Sequence, residues 1–195
     1  MKKPIVLVAL AALPLGAIAA PESYTFDPTD TFANFIVDHF GITPVYGRFN
    51  KTAGKATIDR AAKTASVEIV IDTASIDTGD IDKGARPRSR DDHLRSADYF
   101  NVAEFPKMTY KSSNVAFSGD NPKTIEGNLT LLGVTKPVAL TVDRFACMPA
   151  SATAKERCGG SATGKLKRSE FGMTRSIPGQ SDEITIIVAF AANKD

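Results

Sequence analysis

Two histidines, two cysteines and a scatter of acids are the residues of this chain best equipped for chemistry. His93 lies in DDHLRSADYF, residues 91–100, among Asp91, Asp92, Asp98, Arg95 and two aromatics. A histidine beside a carboxylate suggests general acid–base catalysis. Here Asp92 and His93 are adjacent, and adjacent side chains on a helix do not face each other. The segment reads instead as a short helix, with Asp91 at its N-cap, Asp92 in the first turn, Leu94 and Ala97 turned inward, and Pro106 barring extension. His93 and Arg95 are then solvent-side or packed against the cap. His39 differs, because it ends the alternating run Ala33, Phe35, Val37, His39 and so falls on an apolar face. A local carbonyl partner, a ligand's polar head and catalysis all remain open to it.

Other motifs weaken on inspection. GGSATGK, residues 159–165, fits the Gly-x-x-x-x-Gly-Lys of a phosphate loop, yet Leu166 stands where a hydroxyl residue should hold magnesium, and the stretch continues as an alternating strand. Asp77, Asp80 and Asp82 lack the spacing of a calcium loop and read as an acidic turn. Neither a Gly-x-Ser-x-Gly elbow nor a His-Glu-x-x-His pair occurs, so the residues predict no catalytic centre and no metal site. Asn128 opens an Asn-Leu-Thr sequon, but within a predicted strand.

The start of the chain places Lys2 and Lys3 before a short apolar run broken by Pro14 and Gly16, then small residues around Ala17, Ala19 and Ala20. This is the pattern of a signal peptide over 1–19, cleaved after Ala19, and too short for the ~20 residues of a spanning helix. The remainder, 20–195, is long enough for one domain with a real core. An exported chain meets oxidising conditions, so Cys147 and Cys158 are expected to close a disulfide across a short loop. The full sequence has 24 basic and 22 acidic residues, and loss of Lys2 and Lys3 brings the two into balance. A neutral chain lacks the positive field that nucleic acid or an anionic membrane surface requires.

The dominant period is two. It aligns Val67, Ile69 and Ile71; Met108 and Tyr110; Ile125, Leu129 and Leu131; Val138, Leu140 and Val142; and Ile184, Ile186, Val188 and Phe190. With a strongly bent strand over 45–58, relieved by Gly47 and Gly54, and another over 161–169, about eight strands are expected. Short turn-forming links make neighbours antiparallel, and the strand lengths favour an up-and-down barrel over a sandwich. Its inward set includes Ala33, Val37, Val67, Ile69, Gly127, Val138, Ala162 and Gly164, all small or medium, and the chain has no Trp. Such a lining leaves room for a tube.

Five stretches in order resemble the YceI-like family of exported, lipocalin-like polyisoprenoid-binding proteins. They are FIVDHFGITPVYGRF, DTASIDT, RDDHLRSADYFNVAEFP, GNLTLLGVTKPVAL and RSEFGM, with Asn128 where the family usually has aspartate. The resemblance spans nearly the whole mature chain. It implies an all-β fold: an eight-stranded antiparallel barrel with one short helix and an apolar internal cavity holding an isoprenoid quinone, a polyprenyl phosphate or a similar amphiphile. It also implies a periplasmic home. Two segments depart from the family pattern: the loop 79–89, which adds Lys83, Arg86 and Arg88, and the stretch from Cys147 to Cys158.

The expectation is therefore a binding or carrier protein, not an enzyme, without a cofactor beyond the lipid and without nucleic-acid or stable membrane partners. Phe35, Val37, His39, Phe49, Ile69, Ile71, Met108, Tyr110, Leu129, Leu131 and Leu140 are expected to line the cavity. A hydrolase or isomerase using His39 or His93, and a ligand-free interaction protein, are the alternatives. A monomer and a homodimer both remain open.

Overall fold

The computed structural model describes residues 20–195, so the expected signal peptide over 1–19 lies outside the described residues. Alternating burial produces eleven strands: β1 (Glu22–Phe26), β2 (Phe32–His39), β3 (Thr43–Phe49), β4 (Thr52–Asp59), β5 (Thr64–Asp72), β6 (Ile76–Asp77), β7 (Lys107–Ser118), β8 (Asn121–Leu131), β9 (Val134–Met148), β10 (Arg157–Lys167) and β11 (Glu183–Lys194). The helix α1 covers Arg90–Arg95. Tight turns make sequential strands antiparallel. Between β8 and β9 only Leu132 and Gly133 intervene, both at positive φ (51° and 75°), the backbone of a twist-matched two-residue hairpin.

Eight strands close a ring in the order β1-β4-β5-β7-β8-β9-β10-β11, sealed because β1 pairs with both β4 and β11. The strands β2, β3 and β6 carry the wall further. One edge of β11 serves two partners in turn: β1 at Ala192–Lys194 and β2 at Thr185–Ala189. Where the partner changes, the fully buried Thr31 stands in for a strand, its Oγ1 donating to the Ala191 carbonyl at 3.2 Å and lying 3.3 Å from the Ala191 N–H. The Ala191 N–H finds its acceptor there, while the Ala191 carbonyl also accepts from Asp27 N–H at 2.8 Å.

Several local expectations need correction. The bent strand over 45–58 is two strands, β3 and β4, parted at Asn50–Lys51, whose backbone N–H groups bond to Ser75 O and Ser75 Oγ. Gly47 and Gly54 do not sit at this break. Each instead lets a neighbour lie close: a Cβ on Gly47 would stand 2.2 Å from the Phe35 ring, and one on Gly54 2.2 Å from the Glu68 carbonyl. β10 begins at Arg157, ahead of the expected 161, because the Gly159–Gly160 pair is accommodated within the ladder. The N-cap of α1 is Ser89, which accepts from Asp92 N–H; Asp91 is drawn inside, where its carboxylate accepts from Thr78 N–H and Oγ1–H. Ala97 is exposed, and Tyr99 and Phe100 take the inward places assigned to it.

Candidate ligand cavity

Side chains on the inner faces meet as one apolar cluster, yet they leave a cavity of about 240 Å³ along the bore. It is lined from every strand of the ring, from β2 and β3, and from the α1 segment through Leu94, Tyr99 and Phe100. Aromatic side chains bound the space without crossing it, partly because glycines let them lie against the wall. Phe35 covers its cross-strand partner Gly47, and Tyr110 covers Gly127, where a Cβ would come 2.5 Å from the ring. Aromatic cover of strand glycines of this kind also shields their backbone.

The structure brings Phe35, Val37, Phe49, Ile69, Ile71, Met108, Tyr110, Leu129, Leu131 and Leu140 around this one space. It leaves His39 out. The alternation that predicted His39 to face inward continues along β2, but the β2–β3 hairpin runs past the end of the bore. There the His39 ring stacks edge-on against Phe40 at 4.6 Å, and its backbone bridges to Gln180. Of the small inward set, Gly127 and Gly164 are not part of the bore lining, because Tyr110 and Leu140 lie over them. Sequence reasoning missed Tyr24 and Phe26, although the alternation of ESYTF on β1 carries both. It also missed Asn34, Thr52, Arg168 and Gln180, the polar members of the lining, which an apolar filter discards.

At one end of the bore the buried Tyr24 presents its ring to the cavity and its phenol to an ionic group. The hydroxyl donates to Glu156 Oε1 at 2.5 Å, with Glu22 Oε2 at 3.0 Å, while Arg60 donates to both carboxylates and to the Tyr24 oxygen. Lys194 donates to Glu22, and this bond, followed by that from Arg60, lowers the Glu22 carboxyl from 4.5 to about 2. Burial, then the neighbouring Glu156, pushes the Tyr24 phenol well above its ordinary value. Against this group lies the Cys147–Cys158 disulfide, joining directly paired residues of β9 and β10. Cys147, Glu156 and Cys158 come close enough to resemble a metal cluster, but both sulfurs are engaged in their own bond.

The other end is plugged by DDHLRSADYF, residues 91–100. Phe100 packs edge-on against Phe49 at 5.3 Å, and Tyr99 donates toward Gln180 Oε1 at 3.1 Å. His93 Nε2 lies 2.9 Å from Asp98 Oδ2, but Arg88 also holds Asp98 at 2.6 Å, and the histidine does not line the bore. Arg95 donates to the Ala74 and Ile76 carbonyls, tying α1 to the 3-10 turn Thr73–Ser75 and the start of β6. Arg168, 3% exposed, donates to four backbone carbonyls, those of Met173, Arg175, Gln180 and Ser181, and burial lowers its pKa. Asp77, Asp80 and Asp82 are spent separately: on Asn50 and Gly79, on Arg86 and Arg90, and on Gly84. GGSATGK lies within β10.

Fold and cavity together define a closed antiparallel β-barrel with an apolar bore and one short helix at its mouth. The chain belongs to the YceI-like domain family, whose profile matches residues 24–192. It is 35% identical to Protein YceI of Salmonella arizonae over 97% of this chain and 96% of that one. Among solved structures it is similar to BcnA of Burkholderia cenocepacia, with 26% identity and a TM-score of 0.65, covering 86% of this chain and 99% of that one. A polyisoprenoid-binding domain from Saccharophagus degradans shares the fold at 19% identity, with a TM-score of 0.63 over 89% of this chain and 99% of that one.

Proposed function

We propose that this protein is an exported, periplasmic carrier that sequesters one isoprenoid-type amphiphilic lipid in its bore, by binding and without catalysis. The observation that carries the reading is the cavity: a continuous apolar space in a barrel of a size that holds one small ligand. Each CH₂-sized unit moved from water into it gains about 0.8 kcal/mol, so roughly ten units give a gross ~8 kcal/mol, the scale of micromolar binding. A charged anchor is unnecessary at that scale. The fold shared with a polyisoprenoid-binding domain is consistent with an extended hydrocarbon as the occupant. His39 and His93 both stand outside the lining, which argues against a hydrolase or isomerase working on a cavity-bound substrate. A neutral mature chain and the absence, among the described residues, of a helix long and apolar enough to cross a membrane fit a carrier that visits lipid. Organic extraction of protein purified from the periplasmic fraction, followed by mass spectrometry, should yield an isoprenoid-type lipid near one per chain. Repeatedly empty protein, or extracts containing only bulk membrane lipid, would overturn the reading.

A further inference from the structure

Among the described residues, Thr52 Oγ1 is the one buried side-chain polar atom without a hydrogen-bond partner. Thr52 is 2% exposed and opens β4, where it shares an inward face with Gly54, Ala56 and Ile58, and it lines the cavity. Valine has the same branching and would fill this place without an unmet hydroxyl, so the oxygen brings a penalty that packing does not require. Each of the other polar side chains of the lining makes at least one hydrogen bond. Tyr110 donates to backbone carbonyls of Ile125 and Val138, and Asn34 to those of Phe32 and Ile187. Tyr24 is held by its ionic group, and Tyr99 and Gln180 are bonded to each other.

We propose that Thr52 Oγ1 is the anchor for a single uncharged oxygen of the bound lipid, a hydroxyl or a quinone-type carbonyl, and that the cavity disfavours phosphorylated isoprenoids. This rests on the lipid-carrier reading and narrows its ligand class. A hydroxyl both donates and accepts, so it serves an alcohol and a carbonyl alike, and rotation about χ1 exchanges Oγ1 with Cγ2 to follow the ligand. A phosphate is another matter. Burying its charge requires cations and several donors, and the lining offers one cation, Arg168, whose guanidinium already serves four carbonyls.

The test is equilibrium binding of geranylgeraniol, its saturated parent hydrocarbon and geranylgeranyl phosphate to delipidated wild type, Thr52→Val and Thr52→Ser. Wild type is expected to prefer the alcohol over the hydrocarbon about five- to tenfold, the scale of one hydrogen bond, and to bind the phosphate more weakly than the alcohol. Thr52→Val should lose the preference for the alcohol, bind the hydrocarbon as wild type does, and melt no lower. Thr52→Ser should keep the preference, and it carries the test if the valine variant fails to fold, since loss of preference in Thr52→Ser overturns the proposal. An unchanged preference in Thr52→Val, or tighter binding of the phosphate than of the alcohol, also overturns the anchor while leaving the carrier reading intact. Failure of wild type to bind any of the three overturns the carrier reading itself.

Discussion

The two ends of the barrel are closed by different physics. Around Tyr24, residues remote in sequence hold one another: Glu22 and Arg60 near the start of the chain, Glu156 and Lys194 near its finish, with a covalent link between β9 and β10 beside them. At the other end one contiguous segment folds back on itself. Ser89 caps α1, Asp91 ties it to Thr78, and Arg95 bonds to the Ala74 and Ile76 carbonyls. The first closure depends on charge, redox state and the meeting of distant strands. The second has ion pairs of its own, Arg88 with Asp98 and Arg86 and Arg90 with Asp80. These are local, and its ties to Ser89, Ala74 and Ile76 use backbone groups that salt screens weakly. Both leave the bore between them apolar.

Removing the disulfide is expected to be the largest perturbation. Cys147→Ser with Cys158→Ser should lower stability by about 3 kcal/mol, through the freer unfolded chain, as read from denaturant unfolding of oxidised protein and of the double variant. An effect near zero would mean that strand pairing alone fixes that end. Next comes Asp91→Ala at the helix end. It strips Thr78 of its partner in a buried place and should lose about 2–3 kcal/mol, with amide exchange accelerating over 78–100 and not around Cys158. Acceleration at both ends would erase the distinction drawn between them.

Between the ends, Gly47→Ala places a Cβ against the Phe35 ring and should destabilise by about 1–2 kcal/mol. Displacing the ring toward the bore should also reduce the lipid carried per chain, as measured by extraction. The smallest effect is that of pH on the ionic end. Folding depresses the Glu22 carboxyl, so its stabilisation is complete above 4.5 and is lost as pH falls toward about 2. Solvent screening limits it to about 1 kcal/mol, and thermal melts of wild type and Glu22→Gln should converge across that window.

Legibility in the sequence tracked how local each decision was. The alternation of β5, β7, β8 and β9 placed Ile69, Ile71, Tyr110, Leu129 and Leu140 on the inner face, where they are found. The same rule failed at His39 because parity continues along a strand whether or not a bore remains beside it. Asp91 reads as a cap in the sequence because capping side chains and buried carboxylates share one chemistry, and only the position of Thr78 separates them. Thr52 escaped notice because a lone hydroxyl on an inner face looks like noise until its surroundings prove dry.

Side-chain order along this chain was enough to specify strands, the face most of them turn inward and an apolar interior low in bulk, since all of these follow from neighbours a few residues apart. Tertiary structure alone decided that β1 and β2 share one edge of β11, that Thr31 mends the junction, where the bore ends, and which polar groups within it go unpaired. Those outcomes depend on pairings across more than a hundred residues, and a period-two pattern is the same for any partner it meets.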